Sequence, residues 1–194
     1  MLIISDDRSD PAVIAADLLA QAEHDVMSSA ILITDSEKLA YDVRLEIERQ
    51  LAMLERENIA RASIEHNGKI IIADSVDNAL EIANEIAPEH LGLCVDEPFK
   101  YLDRVKNAGS IFLGRDAPEP LGDYYAGPNH TLPTGGTAKF GSPLSVDDFI
   151  KKSQYTYYTR EALNSVSEEI ALFARQEGLT GHARSVLSRK KADE

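Results

Sequence analysis

Short apolar runs rich in β-branched residues alternate along this chain with helical segments of about ten residues or more. No other feature restricts the fold as much, because strands spaced by helices must lie parallel in one sheet. The strand-like runs are Leu2 to Ser5, Ala30 to Thr34, Lys69 to Ala73, Leu91 to Val95 and Ser110 to Leu113. The first helical segment opens at Pro11, which suits a first turn, and extends to about His24. Its apolar stripe is Ile14, Leu18 and Ala22 with Ala15 and Leu19. Further helices are expected from Ser36 to about Glu55, Arg56 to Asn67, Val76 to Ala87 and Pro98 to Asn107. The strands are near-continuous apolar runs, as in a sheet covered on both sides. The expected fold is therefore α/β: a parallel sheet with helices on both faces, an incomplete Rossmann-like unit. In such sheets ligands gather at the carboxyl ends of the strands. No Gly-x-Gly-x-x-Gly follows any strand, so no dinucleotide fingerprint is visible.

The character changes near residue 145, which divides the chain into an α/β domain, 1–144, and a mainly helical C-terminal arm, 145–194. Ser145 and Asp148 have the spacing of a capping box. Ser153 to Thr159, rich in tyrosine and threonine, reads as a strand. Arg160 to Glu177 reads as a helix with Leu163, Val166, Ile170 and Phe173 on one face, stopped by Gly178. Thr180 to about Lys190 forms a last helix, and the final Arg189 to Glu194 reads as frayed.

The formal net charge of -13 argues against nucleic acid and anionic membranes as partners. Met1 to Ser5 is too short for a signal peptide or a membrane span. Cys94 is the single cysteine, so no internal disulfide forms, and it reads as a small apolar residue in a buried strand. These features point to the cytoplasm.

Between Gly122 and Gly136 lie four glycines and two prolines, together with Asp123 and His130. Proline removes donors and glycine resists ordering, so neither helix nor regular strand is expected there. The segment is either a long connection or a stiff loop presenting side chains to a ligand. Gln21 and His24 are three apart and share a helix face, as capped helix-end residues or as metal donors. Glu89 and His90 follow Pro88 at a helix-to-strand junction, either as a solvated turn or as two proton-transfer groups on opposite sides of an extended segment. Glu177, four residues after Phe173, continues that helix's stripe and needs a partner, a salt bridge being the plainest. His66 reads as a turn residue.

The run Gly122-Asp123-Tyr124-x-Ala126-Gly127-Pro128-Asn129-His130-x-Leu132-Pro133-Thr134 closely resembles the signature loop of the histidinol dehydrogenase family. Leu19 to His24, Ala87 to Leu91 and Gly178 to His182 match further family segments, in the family's order. The resemblance runs from near Met1 to about Lys190 and covers the C-terminal half of the family chain. It implies oxidation of L-histidinol to L-histidine, through the aldehyde, in histidine biosynthesis, with zinc and NAD. It implies Glu89 and His90 as acid–base residues and Gln21, His24, Asp123 and His182 as zinc ligands. It further implies Gln21, His24, His90, Asp123, His130, Glu177 and His182 as substrate contacts, and a homodimer whose active site is shared between copies. No residue is assigned to NAD, whose contacts the resemblance places mostly in the other half. The alternatives are a dehydrogenase of another small alcohol and a truncated, non-catalytic zinc-binding or dimerisation module.

Overall fold

The computed structural model describes residues 1–190. They divide into two compact units, Met1–Phe149 and Ile150 onward. The strands of the first are β1 (Leu2–Ser5), β2 (Ile31–Thr34), β3 (Lys69–Ile72), β4 (His90–Cys94) and β5 (Ser110–Leu113). All pairings are parallel, in the order β3-β2-β1-β4-β5. The sheet winds outward in both directions from β1, the strand order of a Rossmann fold without its sixth strand.

Helices α1 (Pro11–Ala22), α2 (Glu37–Leu51), α3 (Glu57–Asn67) and α4 (Val76–Ile86) connect the strands. Their starts are set by side-chain caps. Asp10 accepts from the Ala12 amide, Ser36 from Leu39 and Ser75 from Asn78. Successive strand residues serve opposite faces. Ile3 and Leu32 pack with Ile14, Leu18, Val43, Ile47 and Leu51 of α1 and α2. Leu2, Ile4, Ile33 and Leu91 pack with Ala79, Leu80 and Ala83 of α4. Each buried leucine or isoleucine contributes roughly 1.5–3 kcal/mol, so both faces are fastened by many such terms. Cys94 is buried in β4, and burial pushes its thiol up to about 12, which leaves it unreactive.

Several expectations are corrected. Pro98–Arg104 is a 3-10 helix rather than an α-helix. His66 lies in the last turn of α3, with its Nδ1 2.8 Å from the Ala62 carbonyl, and not in a turn. Residues 153–159 form no strand; they are exposed and carry no regular structure. Tyrosine and threonine favour a strand only where a neighbour supplies ladder hydrogen bonds, and none does here. The glycine-rich segment begins inside a short helix, α5 (Glu119–Tyr124), with Pro120 in its first turn, where a missing N–H costs nothing.

The second unit contains α6 (Arg160–Gln176) and α7 (Thr180–Leu187), separated at Gly178, whose φ is +76°. Inside this unit the small face of α6, Ser167, Ala171 and Ala174, is buried, with Ala183 of α7 in the same apolar cluster. The larger stripe is left outward: Phe173 is 68% exposed and Ile170 41%. Residues 191–194, including most of the tail read as frayed, lie outside the described residues.

Candidate active site and metal centre

His90 is the first residue of β4, and its side chain is 7% exposed. Its Nδ1 lies 3.2 Å from Gln21 Oε1, at the end of α1. An amide oxygen only accepts, so Nδ1 carries the proton and Nε2 offers a lone pair. The Met1 amino group also donates to that oxygen at 3.2 Å. Nε2 is buried, has no hydrogen-bond partner, and lies 4.0 Å from Asp123 Oδ1. Burial, then the positive Met1 amine, lowers the imidazole to about 4; nearby Asp123 opposes and His24 adds to the fall. His90 is therefore neutral at pH 7.

Asp123 stands on α5, one turn after Glu119. Glu119 was not anticipated from the sequence, although the four-residue spacing puts the two on one helix face. The signal was hidden because Gly122, with the glycines and prolines that follow it, argued against a helix. Glu119 is 3% exposed, and its carboxyl is pushed up to about 7, first by burial and then by the hydrogen bond and charge of Asp123. One donor atom each from His90, Glu119 and Asp123 lies within 4.8 Å of the others. Glu89 is half-buried and lines a cleft of about 470 Å³ together with Gln21, Pro88 and Gly136. Burial raises its carboxyl, Asp123 adding to the rise while the Met1 amine and His24 lower it.

Two glycines allow this packing. A Cβ on Gly122 would stand 2.6 Å from the Phe112 ring, whose centroid is 5.9 Å from that of His90. A Cβ on Gly109 would stand 2.5 Å from the Glu89 carbonyl. We expect Gly122→Ala to destabilise the chain by about 1–3 kcal/mol through displacement of Phe112. Denaturant melts test this; an unchanged midpoint would show that the ring has room to yield.

The sequence-predicted residues fall into three places. Gln21, Glu89, His90 and Asp123 come together in the first unit. His24, exposed just beyond α1, acts electrostatically on both Glu89 and His90. His130 is exposed in the loop after α5. In the second unit Phe173, Glu177 and His182 line one shallow groove of about 390 Å³.

This cluster lies at the amino end of β4, not at the carboxyl ends where ligands were expected. Helix α1 returns towards the strand starts and so delivers Gln21 there. The carboxyl side is filled by ion pairs. Arg115 binds Asp6, reaches Asp96 at 2.7 Å and donates to Ser9 Oγ at 3.0 Å, and Ser9 holds the Cys94 carbonyl. Burial raises the Asp6 carboxyl, but the Arg115 bond and the Arg8 and Asp96 amides outweigh it and hold it low. The Arg8 and Arg115 guanidiniums at this end are already paired with Asp6 and Asp96, and no glycine-rich turn stands beside them to cradle a pyrophosphate. The described residues therefore do not fit NAD. They do fit zinc: an imidazole, an amide oxygen and carboxylates are suitable donors, and the orphaned His90 Nε2 beside Asp123 shows a buried polar spot without a partner.

Fold and cluster together define a Rossmann-like α/β unit carrying a histidine–carboxylate centre suited to proton transfer and metal binding. The chain belongs to the histidinol dehydrogenase family, whose model matches residues 1–190. It is 56% identical over 191 residues to a histidinol dehydrogenase of Geobacter sulfurreducens, covering 98% of this chain and 44% of that one. It is likewise 56% identical over 183 residues to that of Caldanaerobacter subterraneus, covering 94% of this chain and 43% of the relative. The crystal structure of histidinol dehydrogenase from Elizabethkingia anophelis matches with a TM-score of 0.90 at 38% identity, over 98% of this chain and 44% of that chain. The chain thus spans rather less than half the length of the relatives it matches. Among the described residues no helix is long and apolar enough to cross a membrane.

Proposed function

We propose that this chain is the C-terminal portion of a cytoplasmic histidinol dehydrogenase, acting in the NAD-linked oxidation of L-histidinol to L-histidine during histidine biosynthesis. The observation that carries the reading is the buried, neutral His90 with its free Nε2 beside Asp123, in a chain that matches the family along 190 residues. The names of the relatives favour histidinol over another small alcohol.

Oxidation of an alcohol to an aldehyde removes a hydroxyl proton together with a hydride. His90 Nε2 takes the proton, since it is neutral at pH 7 and unoccupied. The hydride acceptor is held outside these residues. Hydration of the aldehyde requires a water to lose a proton, and Glu89, on the cleft wall, is the acceptor for that step. Once His90 has released the first proton to solvent, it takes the hydroxyl proton of the hydrate as a second hydride leaves to the same kind of external acceptor and the acid forms. Gln21 fixes the imidazole tautomer throughout. Gln21, His24 and Asp123, with His182 from a second copy, are the residues that would hold zinc. When bound it supplies an electrophilic anchor for the amino and imidazole nitrogens of the substrate. His130 and Glu177 are assigned to the substrate, Glu177 facing its imidazole.

Two measurements test the reading. Purified protein should bind about one zinc per chain in a four-ligand site, and His24→Ala should lose it. The chain alone should not turn over L-histidinol with NAD, whereas addition of a relative's N-terminal half should allow turnover. Robust activity of the chain alone would overturn the division of labour; equal zinc in both proteins would overturn the ligand assignment.

A further inference from the structure

Among the described residues the sheet ends at β5, with no strand beyond it. Ser110 and Gly114 donate their amides to Glu89 and Leu93 on the β4 side. Alternation along the strand then turns the amides and carbonyls of Ile111 and Leu113 outward, where they meet no hydrogen-bond partner among the described residues. Such a row of unpaired groups is a template for another strand. The edge is open: Ser110 and Ile111 line a groove of about 540 Å³ together with Asn129, Leu132 and Leu144. The same chain carries strand-forming residues without a sheet. Residues 153–158 are exposed, and no hydrogen bond engages their backbone among the described residues. Tyr155 and Tyr157 are almost wholly in solvent. Aromatic and β-branched residues favour the ladder that this segment lacks.

We infer that residues 153–159 of one copy add to β5 of a second copy as the sixth strand of its sheet, and that the exchange is reciprocal. Each copy offers one open edge and one unpaired segment, so a two-fold pair uses both and leaves neither over. Aromatic side chains flank the edge on both faces, Tyr101 packing with Ile111 and Leu113 on one, and Phe112 lying on the other beside His90. An added strand presents Tyr155 and Tyr157 to one face and Tyr158 to the opposite one, which makes aromatic cross-strand pairs. Charge brings the copies together. From Ile150 to Arg160 the charged residues are Lys151, Lys152 and Arg160, whereas residues 1–149 carry 27 Asp and Glu against 12 Lys and Arg. The sheet's other edge, β3, competes less well. It carries no aromatic residue, and it starts at the exposed Lys69, a residue type that blunts strand edges. The inference concerns assembly and holds whichever alcohol the site oxidises.

The test is site-resolved amide exchange on the intact chain, with sedimentation equilibrium to count copies. Thr156→Pro combined with Tyr157→Pro removes one donor from each side of the added strand. Both positions lie in a segment without regular structure, so the first unit keeps its fold. The wild-type chain should sediment as a dimer with the Ile111 and Leu113 amides protected. The double variant should dimerise more weakly, and its Ile111 and Leu113 amides should exchange about 10-fold faster or more. The outward amides of β3, Ile70 and Ile72, should exchange alike in both proteins. Equal exchange at Ile111 and Leu113 in the two proteins overturns the inference, as does protection found at Ile70 and Ile72 instead. Protection in a chain that sediments as a monomer means that the segment folds back on its own β5. Protection that appears only when a relative's N-terminal half is added assigns the edge to that half. Either result overturns the exchange. Failure of the histidinol reading would appear as absent turnover with the N-terminal half supplied, and would leave these measurements untouched.

Discussion

With the N-terminal half of a family relative supplied, His90→Ala is expected to lower L-histidinol turnover about 10²- to 10⁴-fold, the range for loss of a general base. The size follows from how completely the fold commits this side chain. Its Nδ1 proton is spent on Gln21 at 3.2 Å, so only Nε2 can act. That nitrogen has no competing donor among its neighbours. Burial keeps the ring neutral, with its protonation held down at about 4, so at pH 7 the acceptor form is already present. Substrate binding should change little by comparison, which places the loss in kcat rather than KM. Gln21→Leu should also lower turnover, because it releases the imidazole tautomer and removes one of the donors assigned to zinc. Steady-state kinetics of both variants decide the matter. Near-wild-type kcat in His90→Ala would remove His90 from the chemistry.

The sheet was legible because its strands are apolar on both sides, and helices of the right length separate them. Ile3 and Leu2 face opposite cores, yet both must be apolar, so the run shows without ambiguity. The helix starts were legible, at Ser36 and Val76, and the structure shows why they fall there: Ser36 and Ser75 each bond the third amide beyond. Helix α5 was not, since its six residues include proline and glycine and its existence depends on Phe112 filling the space above Gly122. Glu119 was lost with it. The location of the site was missed for a related reason. A switch-point rule describes where space is usually open, whereas here the Asp6, Asp96, Arg8 and Arg115 side chains close that end. In the C-terminal arm, hydropathy marked Ile170 and Phe173 as a buried stripe. Periodicity identifies a face that needs covering, but it does not say whether the cover lies in the same unit.

That uncovered face leads to the second large effect. Within the second unit the buried apolar residues are alanines, Ala171, Ala174 and Ala183, while Leu172 and Phe173 are 57% and 68% exposed. Two helices holding only a few methyl groups between them are marginal in water, so the larger face requires another surface. Phe173, Glu177 and His182 line one groove on that face, which puts the two residues assigned to substrate and zinc where a covering surface would meet them. The resemblance supplies the cover as a second copy, and exchange of such an arm is a low-cost route to a two-fold dimer. Mixed dimers make the consequence measurable, again with the N-terminal half supplied. One chain carries His24→Ala and the other His182→Ala. If the arm enters the neighbour's site, both lesions meet in one of the two sites and the other is assembled from intact parts. Each variant alone should then be almost inactive and zinc-depleted, whereas the mixed dimer should recover about half of the wild-type turnover and about half of its zinc, as for one whole site in a two-fold pair. If each chain builds its own site, both sites of the mixed dimer are broken and nothing is recovered. Absence of recovery in dimers verified as mixed by differential tagging would therefore refute the exchange.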